Sequence, residues 1–222
     1  MLGHISSEVQ TDVPSKLSRL VSLLVNPLVI PTFIFWCVGD SLGLSFTQHL
    51  KVSGASLGIY FIAPLSYVVW LVQKGQIETW EARIHESRKR PLLLGTLMLI
   101  LGIPLMAMAW PSDSSLGGLI ATIFAINGLI LATITLRFKI SLHVSTVTSV
   151  ASIIGALYLS AFIPFVPWGA YFFVLCGTLV LLVGWARIHQ KAHSRSEVVW
   201  GALYGLVVPF VQITLLGFWL NQ

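Results

Sequence analysis

The stretch "RIHQKAHSRSE", residues 187–197, is a polar island between two apolar runs, 169–186 and 198–219. Each run is close to the ~20 residues an α-helix needs to cross the hydrocarbon core of a bilayer. The island therefore reads as a linker at a membrane boundary. It also carries His189, His193 and Glu197 at four-residue steps behind Arg187, a grouping that a bare connector does not require. Outward from it, further apolar runs lie at 20–39, 55–73, 92–110, 116–136 and 146–166. "WPSDSS" (110–115) and "FVPWG" (165–169) punctuate them as tight turns between helices. Pro27, Pro31, Pro64, Pro104 and Pro209 fall inside runs, which membrane helices tolerate. The expected fold is all-α: a polytopic helical membrane protein with about seven transmembrane helices, in one domain over 20–222 behind a polar segment, 1–19.

Composition agrees. The 222 residues are 56% hydrophobic and only 9% charged, too few charges to cover a soluble domain of this size. Mean hydropathy is +0.87. Cys37 and Cys176 lie in apolar runs and form neither a disulfide framework nor a metal-ligand pattern. A net charge of +5 in such a chain reports topology or an anionic ligand rather than nucleic-acid binding. No cleavable leader is evident, because 1–19 is polar and the first apolar run lacks a cleavage site.

The linkers between seven spans alternate between two sides. One side collects Lys16, Arg19, Lys74, Arg83, Arg88, Lys89, Arg90, Arg137, Lys139, Arg187, Lys191 and Arg195, and the other has Lys51. A single miscounted span would scramble that division. By the positive-inside rule the basic side is cytoplasmic, in a bacterial inner membrane or an organelle membrane.

Three linkers on that side carry polar residues beyond charge. In "KGQIETWEARIHESRKRP" (74–91), Ile77, Trp80 and Ile84 recur at helical spacing, as in an interfacial segment anchored by Trp80. Arg83 and Arg90 are seven apart, nearly one helix face and ~10.5 Å along the axis. A plain solvated basic loop has the same composition. In "RFKISLHVS" (137–145), His143 stands between Ser141 and Ser145, and Ser141 is also a fair helix cap. The third linker admits three readings. Ser194 and Glu197 fit a capping box. His189, His193 and Glu197, with His143 as a fourth, fit a metal site. His193 and Glu197 at i and i+4 fit an oriented imidazole beside arginines.

In order, the linkers read R-x6-R-P, I-S-L-H and A-R-x5-H-x3-E. This set resembles the type 2 phosphatidic acid phosphatase superfamily, the lipid phosphate phosphatases related to vanadium haloperoxidases. The family pattern is K-x6-R-P, P-S-G-H and S-R-x5-H-x3-D. The resemblance covers 83–197, about half of the chain, with motifs at 83–91, 139–145 and 186–197. The chain departs from it at Arg83 (family Lys), Ile140 (Pro), Leu142 (Gly), Ala186 (Ser) and Glu197 (Asp).

The resemblance implies a metal-independent phosphatase acting on a phosphomonoester or diphosphate of a lipid, phosphatidate-like or polyprenyl. It implies His193 as the nucleophile that becomes a phosphohistidine, Glu197 as its orienting partner and His143 as the acid and base. Arg83, Arg90 and Arg187 would clamp the phosphate, with Ser141 and Lys139 beside them. No metal or cofactor is expected; the partners are a lipid phosphate and the membrane, not nucleic acid. Two alternatives share the scaffold: a phosphotransferase passing the group to an alcohol, and a non-enzymatic carrier, which would need only the arginines. Two spans separate the first motif from the second and two the second from the third, so all three return to one side of the membrane.

Overall fold

The dipeptide Asn26-Pro27 interrupts the first apolar run. Pro27 has no N–H to donate and disfavours helical backbone at the residue before it. In the computed structural model, which describes residues 13–76, 89–111 and 115–220, α1 (Val13–Leu24) stops short of this pair and α2 (Ile30–Ser41) starts beyond it. Asn26 closes the turn between them. Its Oδ1 accepts from the Leu28 N–H at 2.9 Å and its carbonyl from the Val29 N–H at 3.0 Å. Pro31 falls in the first turn of α2, where a missing N–H costs nothing.

The rest of the chain forms α3 (Phe46–Leu57), a π-helical turn (Gly58–Ile62), α4 (Ala63–Gln73), α5 (Lys89–Ala109), α6 (Leu116–Thr135), α7 (Leu142–Leu159), α8 (Gly169–His189) and α9 (Arg195–Leu220). There is no strand among the described residues. The capping box of Ser45 and Gln48 starts α3. The π turn just before Pro64 absorbs the hydrogen bond this proline cannot make, so α3 and α4 run on as one 28-residue rod, Phe46–Gln73. Six helices, counting that rod once, are long and apolar enough to cross a membrane.

The run at 20–39, expected to be a single span, is thus a broken one. Each of α1 and α2 has 12 residues, ~18 Å of helix, and neither crosses alone. Together they travel the length of α8. Gln190, just past one end of α8, donates to the Ser18 carbonyl, and Phe33 stacks on Phe172 near the other end, 6.3 Å between ring centres. The pair thus follows α8 from one end to near the other, as the single expected helix would have done. A second difference is one of register: α7, expected from 146 to 166, runs from Leu142 to Leu159. His143 is therefore in its first turn rather than in a loop, and Ala161, at φ 57°, ends the helix ahead of Pro164.

The core gathers around α2. Phe35 is fully buried among Tyr60, Trp110 and Phe124, with ring centres 6.2, 6.2 and 5.9 Å away. Below it, α7 and α9 pack at close range. A Cβ on Gly201 would stand 2.7 Å from the Ser141 carbonyl oxygen, and one on Gly205 would overlap the Ser145 carbonyl. Ser152 Oγ donates to the Leu206 carbonyl at 2.7 Å. Asn127 on α6 donates to Gln212 at 2.6 Å and accepts from the Tyr204 hydroxyl at 3.1 and 3.2 Å, fastening α6 to α9. In hydrocarbon, such small-residue contacts and polar bonds hold helices that have no hydrophobic reason to associate. The pairing brings the start of α7, the end of α8 and the start of α9 to the same end of the bundle.

Candidate active site

The turn after α8 delivers His193. Gln190 caps the helix, Lys191 takes a left-handed conformation at φ 52°, and the Arg187 carbonyl then accepts from Ala192 N–H and His193 N–H at 3.1 and 3.2 Å. This returns the chain over the last turn of α8, as helix C-caps do. Arg187 itself points inward and is only 7% exposed. An isolated guanidinium is too costly to bury without partners, and Arg187 does not stand alone: it lies within electrostatic reach of both His143 and His193.

Ser194 then starts α9. The Glu197 N–H donates to Ser194 Oγ at 3.3 Å, and the Ser194 N–H donates to Glu197 Oε2 at the same distance. The capping box expected from S-x-x-E is therefore real. The same Oε2 also accepts from His193 Nδ1 at 2.7 Å and pairs with Lys139 Nζ at 3.7 Å. Structural and chemical readings of Glu197 are not exclusive here, since one carboxylate oxygen caps the helix and orients the ring. Glu, one methylene longer than Asp, still reaches the histidine. With Nδ1 committed, Nε2 is the remaining ring nitrogen.

The His193 side chain is 9% exposed. Burial holds its pKa below the usual imidazole range; the Glu197 hydrogen bond opposes that shift, and the positive charges of Arg187 and Lys139 add to it. The neutral ring, Nδ1–H to Glu197, is the form favoured near neutral pH.

From α7, Ser141 donates its N–H to the Glu197 carbonyl at 3.2 Å and is wholly buried under Gly201. Its hydroxyl is buried as well, so Ser141 is part of the joint between α7 and α9. His143, two residues further on, is half-buried and lies within electrostatic reach of Arg187 and His193. Lys139, a phosphate-binding candidate, pairs instead with Glu197.

His193, Glu197, Arg187, His143, Lys139 and Ser141 are thus gathered at three helix ends. Arg83 lies outside the described residues, as do Ile77, Trp80 and Ile84. Arg90 falls by its backbone in the first turn of α5, and its side chain is outside the described residues. His189 is not part of the group: it is exposed and stacks on Trp185, 5.3 Å between ring centres. No group of three His, Cys, Asp or Glu able to hold a metal converges among the described residues.

Three supporting residues escaped the sequence reading. Gly201 and Gly205 carry a signal, the small-x3-small spacing of "GALYG", which marks close helix contacts in membranes. Gln190 carries none.

No protein-family model, no curated protein and no solved structure matches the chain. The fold defines a polytopic helical membrane protein. The residues gathered at the three helix ends form its candidate site.

Proposed function

We propose that the chain is an integral-membrane lipid phosphate phosphatase working through a phosphohistidine. The observation that supports this most is the 2.7 Å bond from His193 Nδ1 to Glu197, beside the buried Arg187 and within reach of His143. A helix cap needs Ser194 and Glu197, but has no use for an imidazole and an ammonium on the same oxygen. The ordered resemblance to the type 2 phosphatidic acid phosphatase superfamily points the same way.

The reaction follows from these groups. Arg187, with Arg83 and Arg90, holds the nonbridging oxygens of the phosphate, where positioning and charge do most of the work. The Nε2 lone pair of His193 attacks phosphorus and the P–O bond to the lipid breaks. The departing alkoxide takes a proton from His143. Glu197 keeps Nδ1 protonated and stabilises the positive charge that grows on the ring. Water then attacks the phosphohistidine, gives a proton to His143, and the P–N bond breaks to restore His193. The guanidinium charges do what a divalent ion does in other phosphatases.

On this reading the basic face is cytoplasmic, and the substrate is a phosphatidate-like or polyprenyl lipid whose headgroup lies at that interface. The test is phosphate release by purified protein from a panel of lipid phosphates in EDTA. Release from at least one substrate, unaffected by chelator, is expected. Release from none, or release only with added magnesium or zinc, overturns the proposal.

The pH profile provides a second prediction. His193 must be neutral to attack, and burial disfavours its protonation. The acid limb of kcat/KM is therefore expected below 6.5, the ordinary value for the ring. Glu197 favours the protonated ring, so Glu197→Gln should move that limb still lower while reducing turnover by roughly 10³-fold. A limb that stays in place in this variant would mean that His193 is not the titrating group.

A further inference from the structure

At the end of the bundle away from His193, α2 and α8 leave between them a cleft of about 340 Å³. Each helix lines it with one face. From α2 come Phe33, Trp36 and Asp40, at i, i+3 and i+7, and from the start of α8 come Trp168, Tyr171 and Phe172, at i, i+3 and i+4. Phe172 is buried; Phe33 stacks on it at 6.3 Å between ring centres, and Trp168 meets it edge-on at 6.0 Å. Phe33, Trp36 and Tyr171 are exposed, so the cleft opens to the surroundings of the helices.

An interfacial belt of aromatic rings is ordinary in a membrane protein, but a belt has no use for a carboxylate. The described residues hold two carboxylate side chains, Glu197 in the candidate site and Asp40 in this cleft. The ion pairs among the described residues belong to Glu197, and no hydrogen bond among them reaches the Asp40 side chain. Asp40 also lies in the last turn of α2, at the negative end of the helix dipole, where an acid is disfavoured and a cation is favoured. Its charge is thus left without a partner from the chain, at a membrane boundary and among ring faces. An ammonium group answers both features, since the carboxylate supplies the counter-charge and the rings attract a cation over their faces.

We propose that this cleft binds the ammonium headgroup of a zwitterionic phospholipid, in the leaflet opposite the candidate active site. The volume, at the small end for ligand pockets, suits a headgroup rather than a whole lipid. A lipid fits better than a dissolved amine because Leu175, exposed one turn further along α8, continues the lining toward the bilayer centre, where an acyl chain lies. The site goes beyond the phosphatase reading and does not depend on it.

The test is native mass spectrometry of the purified protein in a maltoside detergent, titrated with phosphatidylcholine or with phosphatidylglycerol of the same acyl chains. Wild type should hold one phosphatidylcholine about 10-fold more tightly than phosphatidylglycerol. Asp40→Asn, which keeps the shape and removes the charge, should bring the two lipids within about 2-fold of each other, and Asp40→Lys should reverse their order. Tyr171→Ala, at an exposed position, should weaken phosphatidylcholine about 3-fold, the scale of one ring face. Equal binding of the two lipids by wild type, or an undiminished preference in Asp40→Asn, overturns the proposal and leaves an aromatic belt. Displacement of phosphatidylcholine by an equal concentration of glycerophosphocholine, which has the headgroup but no chains, overturns the assignment to a lipid.

Discussion

His193→Ala is expected to abolish phosphate release, with kcat/KM down by roughly 10⁵-fold or more, as when a covalent nucleophile is removed. His189→Ala, four residues earlier, is expected to remain within about 3-fold of wild type, as exposed positions away from the chemistry usually do. The contrast follows from geometry. The His193 side chain is 9% exposed and bonded to Glu197, whereas His189 is exposed and lies flat on Trp185. The N-cap of α9 is formed by Ser194 and Glu197, so His193→Ala leaves that helix start in place, and the variant should be inserted and folded. Rapid quench of wild type in alkaline detergent, with a lipid phosphate labelled in its phosphate group, should trap an acid-labile, base-stable phosphoprotein that the variant lacks. Equal activity of the two variants would remove the covalent mechanism.

Arg187→Ala is expected to have the next largest effect. Vanadate adopts the five-coordinate geometry of phosphoryl transfer, and a site complementary to that geometry binds it more tightly than substrate. Wild type should therefore be inhibited competitively at low vanadate concentration. Loss of Arg187 should weaken vanadate and lower kcat/KM by roughly 10²- to 10³-fold each, the scale for removing a preorganised charged donor. Arg187→Lys should fall between, since it keeps the charge but not the planar fork. The turn that carries His193 depends on the Arg187 carbonyl, not on its side chain, so the substitution does not dismantle the turn. Undiminished vanadate inhibition in Arg187→Ala would take this residue out of the anion site.

Much of this architecture is legible in the chain itself. Hydrocarbon admits backbone only when its hydrogen bonds are satisfied internally, so long apolar runs have little choice but to be helices. That constraint sets the long helices. Even the broken first span had a local cause on view, Asn26-Pro27, although a hydropathy window passes straight over it. The capping box of Ser194 and Glu197 is likewise a local matter, settled within one helical turn.

Everything that depends on near neighbours and on the solvent was thus readable along the chain: the all-helical class, most of the long apolar helices and the pairing of His193 with Glu197 four residues away. The remaining partners lie far apart in the sequence, and packing of the helices brought them together. Ser141 is buried because Gly201, sixty residues later, lets α9 approach its backbone. Lys139 meets Glu197 because α7 and α9 start side by side. Ser18 and Ser22 of α1 meet the end of α8 because Gln190, distant in the sequence, bonds to both. Between His189 and His193, equally spaced in the sequence, the choice was made by a C-cap turn that swings one ring inward and leaves the other against Trp185. Spacing along a helix fixes which residues share a face; which face meets another helix is a property of packing, and packing involves the whole bundle at once.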